Sequence, residues 1–188
     1  MKRFVSLVTA VLMIFSFAAC AKKTEETPSD PNTPPELYVG EGFRTVLSTL
    51  MVGNFNIVEK YAVYGRPQTD ENGRVSESAE SDFALDSLNS VLTLFKSVYS
   101  GAKAKKLIEK CGYYEKDGAL YCNKKAKNEG THFDLSNMKT EVTAKDDESC
   151  SFKVTVVRVS SGGAQKEKTF KCRAVYENSM WLLEDMYY

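Results

Sequence analysis

Between Ser149 and Cys172 the chain reads S-C-S-F-K-V-T-V-V-R-V-S-S-G-G-A-Q-K-E-K-T-F-K-C. Cys150, Phe152, Val154 and Val156 fall on one side of an extended chain, and Ser151, Lys153 and Thr155 on the other. This is the period-two pattern of a strand with one buried face. Ser160-Ser161-Gly162 interrupts it as a three-residue hairpin loop, with Gly162 in the left-handed conformation such loops require. That register sets Cys150 opposite Cys172 and Phe152 opposite Phe170. Opposite residues of antiparallel strands lie about 4.5–5.5 Å apart, within the reach of a disulfide.

The segment C-G-Y-Y-E-K-D-G-A-L-Y-C, Cys111 to Cys122, reads as a second hairpin. A four-residue loop, Glu115 to Gly118, places Cys111 opposite Cys122 and Tyr113 opposite Leu120. A tighter Asp117-Gly118 turn sets Cys111 across from Lys124 instead. Two disulfides, 111–122 and 150–172, are expected, each contributing about 2–4 kcal/mol by closing a loop in the unfolded chain. The competing Cys₄ zinc site lacks any C-x₂-C spacing.

Upstream the apolar period is helical. Phe43, Val46, Leu47, Leu50 and Met51 share a face within Gly42 to Lys60, and Gly53-Asn54 is the point of interruption before Phe55 to Tyr64. Arg66 to Glu80 is polar and reads as a loop. Ser81-Asp82 caps a second helix with the stripe Leu85, Leu88, Val91, Leu92, Phe95 and Val98 or Tyr99, and Ser100 caps a third through Lys110. Strands are expected near 112–115, 119–124, 138–145, 150–159, 166–177 and 180–187. Helices first and an antiparallel sheet afterwards predict an α+β domain, the N-terminal helices packed on one face of a cystatin-like or NTF2-like sheet.

The address is written at the other end. Lys2-Arg3 precedes sixteen residues, Phe4 to Ala19, that are too few for a span of about 20. A basic head, an apolar run and small residues before a cut form an export signal, residues 1–19. Phe17-Ala18-Ala19-Cys20 resembles the lipobox of bacterial lipoproteins, so Cys20 is the expected lipidation site. The alternative is an ordinary signal peptide cut after Ala21, which discards Cys20. Residues 20–35 carry four of the five prolines and read as a disordered tether. Residues 36–188 are one domain. The expected location is the bacterial cell envelope, lipid-anchored on the outer face of the cytoplasmic membrane or in the outer membrane.

Lys plus Arg and Asp plus Glu number 25 each, and four basic and three acidic residues precede Glu36, which leaves 21 against 22 in the domain. A near-neutral domain has no long-range field to gather nucleic acid, which excludes that partner. Lys103-Ala104-Lys105-Lys106 and Lys124-Lys125-Ala126-Lys127 read as solvated faces.

No catalytic constellation is legible. His132 is the sole histidine, in a loop-like stretch, and the cysteines are assigned to disulfides. Asp146-Asp147-Glu148 lacks the calcium-loop pattern and reads as a turn. Glu177, Glu184 and Asp185 show no spacing that identifies an acid–base pair. No enzyme activity, cofactor or metal is expected.

The order Leu94-Phe95 through Tyr99, Ala102-x-Ala104-x-x-Leu107, Tyr114-Glu115-Lys116-Asp117-Gly118-Ala119-Leu120-Tyr121, Thr169-Phe170-Lys171 and Val175-Tyr176-Glu177-Asn178-x-x-Trp181 resembles the IseA family of bacterial cell-wall DL-endopeptidase inhibitors. The resemblance implies a cystatin-like fold and a binding role, occlusion of an NlpC-type cysteine peptidase. Asp70, Glu71, Glu77, Glu80, Asp82 and Asp86 form an acidic strip that is the candidate partner contact. A second reading is a small-ligand carrier whose pocket is lined by Tyr113, Tyr121, Phe152, Phe170, Tyr176 and Trp181. A third is a surface-interaction lipoprotein with no pocket.

Overall fold

The computed structural model describes residues 39–76 and 85–188. The export signal, Cys20, the tether, Glu77, Glu80, Asp82 and the expected Ser81-Asp82 cap lie outside the described residues. Among these residues the architecture is α+β, three helices against an antiparallel sheet of four strands with a separate two-stranded hairpin.

Helix α1 spans Glu41–Ile57 and runs straight into a π-helical turn, Val58–Ala62. Gly53 does not interrupt it. A Cβ at Gly53 would stand 2.6 Å from Val98 Cγ2, so the glycine is there for close packing. Helix α2 spans Leu88–Lys96, shorter than the expected stripe from Leu85 to Val98 or Tyr99, and its cap is Ser87 rather than Ser81-Asp82: the Ser87 hydroxyl accepts from Ser90 N–H while the Ser90 hydroxyl accepts from Ser87 N–H. Helix α3 covers Gly101–Cys111 and ends at Gly112 with φ +80°, the left-handed cap that glycine supplies. Ser100 stands at its N-cap position, but its hydroxyl makes no capping bond.

The hairpin β1 (Tyr113–Lys116) to β2 (Ala119–Cys122) closes through Asp117 and Gly118, both at positive φ. That is the tight two-residue turn, and it corrects the four-residue loop: Tyr113, not Leu120's partner, faces Cys122, and Cys111 is the last residue of α3. The large sheet is a meander of β3 (His132–Lys145), β4 (Ser149–Val159), β5 (Gln165–Glu177) and β6 (Met180–Leu183). β3 begins six residues before the expected 138, and β6 stops at Leu183 rather than 187.

The β4–β5 register is also corrected. Cys150 pairs with Ala174 and Cys172 with Phe152. The reason is the turn. Gly163, not Gly162, takes the left-handed conformation at φ +81°, and Gly163 N–H donates to Ser160 O at 2.8 Å. The loop therefore closes one residue later and β5 slips by two. A slip of two keeps every side chain on its face but changes its partner. All four of these cysteines are buried and free in the structure.

The core lies between the helices and the inner face of the sheet. Leu47, Met51 and Phe55 of α1 and Val58 of the π-helical turn join Phe152, Val154 and Ala174 in one core, while Val91, Phe95, Leu107 and Ile108 close the other end. Burial along β4 alternates from Cys150 to Val156 as the sequence pattern requires. The chain between α2 and α3 also covers part of the β6 edge. Leu183 N–H donates to Val98 O at 2.8 Å, and Ser100 N–H donates to Leu183 O at 3.0 Å.

Candidate functional site

The aromatic residues expected to line a carrier pocket mostly fill space. Phe152 is 1 % exposed and Tyr113 5 % exposed. Phe170 joins Phe55 and Phe133 in a packed trio with ring centroids 4.4–6.0 Å apart. Tyr113 donates its hydroxyl to Tyr61 O at 2.6 Å. Trp181 and Tyr176 stand at the sheet edge, 5.4 Å apart, with Phe43 5.0 Å from Trp181. Lys145 Nζ lies 5.1 Å from the Phe43 ring and 5.6 Å from the Trp181 ring, so a lysine covers these rings. Tyr121 stacks on Tyr114 at 5.2 Å.

The acidic strip divides. Asp70 and Glu71 are exposed in a small turn in which the Asp70 carboxylate accepts from Asn72 and Arg74 N–H. Asp86 is exposed and accepts from the Ser87 hydroxyl. The other three members lie outside the described residues.

The candidates for chemistry are scattered. His132 is exposed at the start of β3. Glu184 pairs with Arg173 at 3.1 Å and Asp185 with Lys103 at 2.9 Å, so each has its own cation rather than each other. Glu177 is exposed at the end of β5. Asp146 accepts from Glu148 and Ser149 N–H in the β3–β4 turn, and those bonds hold its carboxyl below the usual range. Among the described residues no three His, Cys, Asp or Glu side chains stand together as a metal site.

Sequence reasoning missed a groove of about 350 Å³ between α3 and the C-terminal segment. Its walls are Lys103, Lys106, Leu107 and Lys110 on one side and Asp185 to Tyr188 on the other, with Phe170 between. The three lysines follow i, i+3, i+7 spacing, so they share one face of α3, about 4.5 and 6 Å apart along its axis. This spacing was the available signal, hidden because Lys105 between them makes the segment read as a uniform charge run. Burial works to raise the Asp185 carboxyl, but the Lys103 hydrogen bond, Met186 N–H and the charges of Lys103 and Lys110 outweigh it and hold it low. Lys110 Nζ stands 3.4 Å from the Tyr188 hydroxyl and 5.7 Å from its ring centre.

The C-terminal wall is fastened from behind. Asn54, fully buried, donates to Tyr187 O at 2.7 Å and accepts from Tyr187 N–H at 3.1 Å. The groove has the means to hold an anion: ammonium groups, a phenol and apolar contact surface from Leu107, Phe170 and Met186. No model of a known protein family matches the chain, and no curated protein sequence matches it.

Proposed function

We propose that this is an exported binding protein without catalytic activity, anchored through acylated Cys20 in the bacterial envelope, that recognises its partner with its surface. The mode is that of the peptidoglycan endopeptidase inhibitors its second half resembles. One observation supports surface recognition over an enclosed carrier pocket: the interface between helices and sheet is packed, with Phe55, Phe95, Phe152 and Tyr99 all at 1 % exposure or less. A carrier of the cystatin-like or NTF2-like kind needs that same space empty.

On this reading the domain blocks an NlpC-type cysteine peptidase sterically, and the tether raises its effective concentration at the wall. The acidic residues Asp70, Glu71 and Asp86, all exposed, are the proposed steering charges toward a basic partner. The test is a titration of the detergent-solubilised full chain against an NlpC-type endopeptidase digesting peptidoglycan. Loss of cleavage at micromolar protein is expected; undiminished cleavage overturns the inhibitor reading for that enzyme. Intact mass of the membrane-extracted protein tests the anchor, since a chain beginning at a diacylated Cys20 is expected and one beginning after Ala21 overturns it.

The small-ligand reading has one observation in its favour, the lysine-walled groove, which lies outside the packed core.

A further inference from the structure

We propose that the groove between α3 and the C-terminal segment is a binding site for a phosphate ester, the phosphate held by Lys106 and Lys110 and its apolar body laid against Leu107, Phe170 and Met186.

The charge comes first. The domain as a whole is near neutral, yet among the described residues three lysines and one acidic side chain wall this groove. Lys103 is spoken for by Asp185 at 2.9 Å. Among the described residues no carboxylate forms an ion pair with Lys106 or Lys110. Like charges at i, i+4 on a helix repel one another, a cost that a bound anion between them removes.

The type of anion follows from the donors. Lysine ammoniums act as point charges with three donors each and suit a tetrahedral phosphate, whereas a planar carboxylate is best met by the arginine fork. Among the described residues no arginine lines the groove. The Tyr188 hydroxyl beside Lys110 offers one more donor. Leu107 and Met186 are almost wholly buried, so their few open atoms form the floor rather than a loose patch. A volume of about 350 Å³ is at the small end of ligand sites and admits a phosphate with a ring or short chain, not a polymer segment.

The walls are preorganised. The Asn54–Tyr187 bonds and the Lys103–Asp185 pair hold the C-terminal segment against the helix before any ligand arrives, which lowers the ordering cost of binding.

Phosphate on an apolar body has two sources, a soluble ester or a lipid headgroup. The test uses the full chain in a neutral detergent, with calorimetric titration of inorganic phosphate, phenyl phosphate and a short-chain phosphatidic acid at fixed ionic strength. One organic ester is expected to bind saturably and about tenfold more tightly than inorganic phosphate, because the apolar floor adds to the charge. Tighter binding of phenyl phosphate marks the soluble source, and tighter binding of phosphatidic acid the lipid source. Lys106→Ala and Lys110→Ala are each expected to weaken binding about five- to tenfold, with Lys125→Ala unchanged. Both groove lysines are exposed, so neither variant is expected to disturb folding. Absence of saturable binding by either ester, or binding that survives the double variant, overturns the site. No peptidase is present in this assay, so its outcome is separate from that of the inhibitor reading.

Discussion

Asn54 and Tyr187, 133 residues apart in the chain, share two hydrogen bonds: the Asn54 amide donates to Tyr187 O at 2.7 Å and accepts from Tyr187 N–H at 3.1 Å. The Tyr99 hydroxyl donates to the same Asn54 oxygen at 2.8 Å. One fully buried amide thus joins α1, the connection between α2 and α3, and the C-terminal segment. Asn54 and Tyr99 are both fully buried, so the amide is costly to lose.

Asn54→Ala is expected to destabilise the domain by about 3 kcal/mol, because it leaves the Tyr99 hydroxyl and both Tyr187 backbone groups without partners. Urea unfolding measures it. A loss below about 1 kcal/mol would show that these groups are satisfied in another way. Because Tyr187 and Tyr188 wall the groove, the same variant is also expected to weaken binding of a phosphate ester.

Gly53→Ala sets two effects against each other. Alanine gains about 1 kcal/mol of helix propensity, but its Cβ meets Val98 Cγ2 at 2.6 Å, and overpacking of this kind costs about 1–3 kcal/mol. Net destabilisation is expected, and Val98→Ala in the same chain is expected to relieve part of it. Purely additive losses in the double-mutant cycle would contradict the contact.

Glu59 stands on the π-helical turn and accepts from Phe133 N–H at 2.7 Å. Burial raises its carboxyl above the usual value, only partly countered by that hydrogen bond and by the charges of His132 and Lys60. Glu59→Gln keeps the acceptor and removes the buried charge, so stability at neutral pH is expected to be equal or higher. Glu59→Ala is expected to lose about 1–2 kcal/mol by stranding the Phe133 N–H. Thermal unfolding of the two variants side by side separates charge from acceptor.

Alkali is expected to weaken the fold. Burial pushes the Cys150 thiol up to about 11, the Cys172 thiol up to about 12 and the Tyr187 phenol up to about 12. In each case the unfolded chain releases its proton first, near 8.5 for a thiol and 10 for a phenol. The stabilisation is therefore complete below those values and decays as pH rises toward the folded ones. The slope is up to about 1.4 kcal/mol per pH unit for each group within its window. Urea midpoints at about pH 7, 9 and 10.5 are expected to be flat at first and then fall. A midpoint that rises with alkali would reverse the argument.

Peptide mapping without reduction is expected to show no link between Cys150 and Cys172. Their strands pair 150 with 174 and 152 with 172, so the two cysteines are diagonal neighbours, roughly 7 Å apart, beyond the 3.5–4.5 Å between Cβ atoms that a disulfide needs. Cys111 and Cys122 remain neighbours, each affected by the same Arg66 charge and with Cys122 Sγ 3.6 Å from Cys111 O, and are the pair to examine for a bond. A 150–172 link would mean that β5 sits two residues out of the register described here.

The α+β class and the inner face of β4 were legible because they depend on period alone, and period is a local property of the chain. Turns were also marked, at Asp146-Asp147-Glu148 and at the Ser160-Ser161-Gly162 loop, and Asp117-Gly118 was read as the alternative to a longer loop. Register was harder. Gly162 and Gly163 are both able to adopt positive φ, so the local sequence allows two loops and two registers, and it is Gly163 that takes the left-handed conformation. The early part of β3 was missed because Asp134 bonds back to Ser136 N–H and hydroxyl, a local turn that shifts the pairing with β4 between Asp134 and Lys139. The groove belongs to this second kind. The helical spacing of Lys103, Lys106 and Lys110 stands in the sequence, but the wall that makes it a concavity comes from Asp185 to Tyr188. Only tertiary packing sets those residues opposite α3, because a contact between positions some eighty apart is determined by which faces bury each other and leaves no mark in the local period.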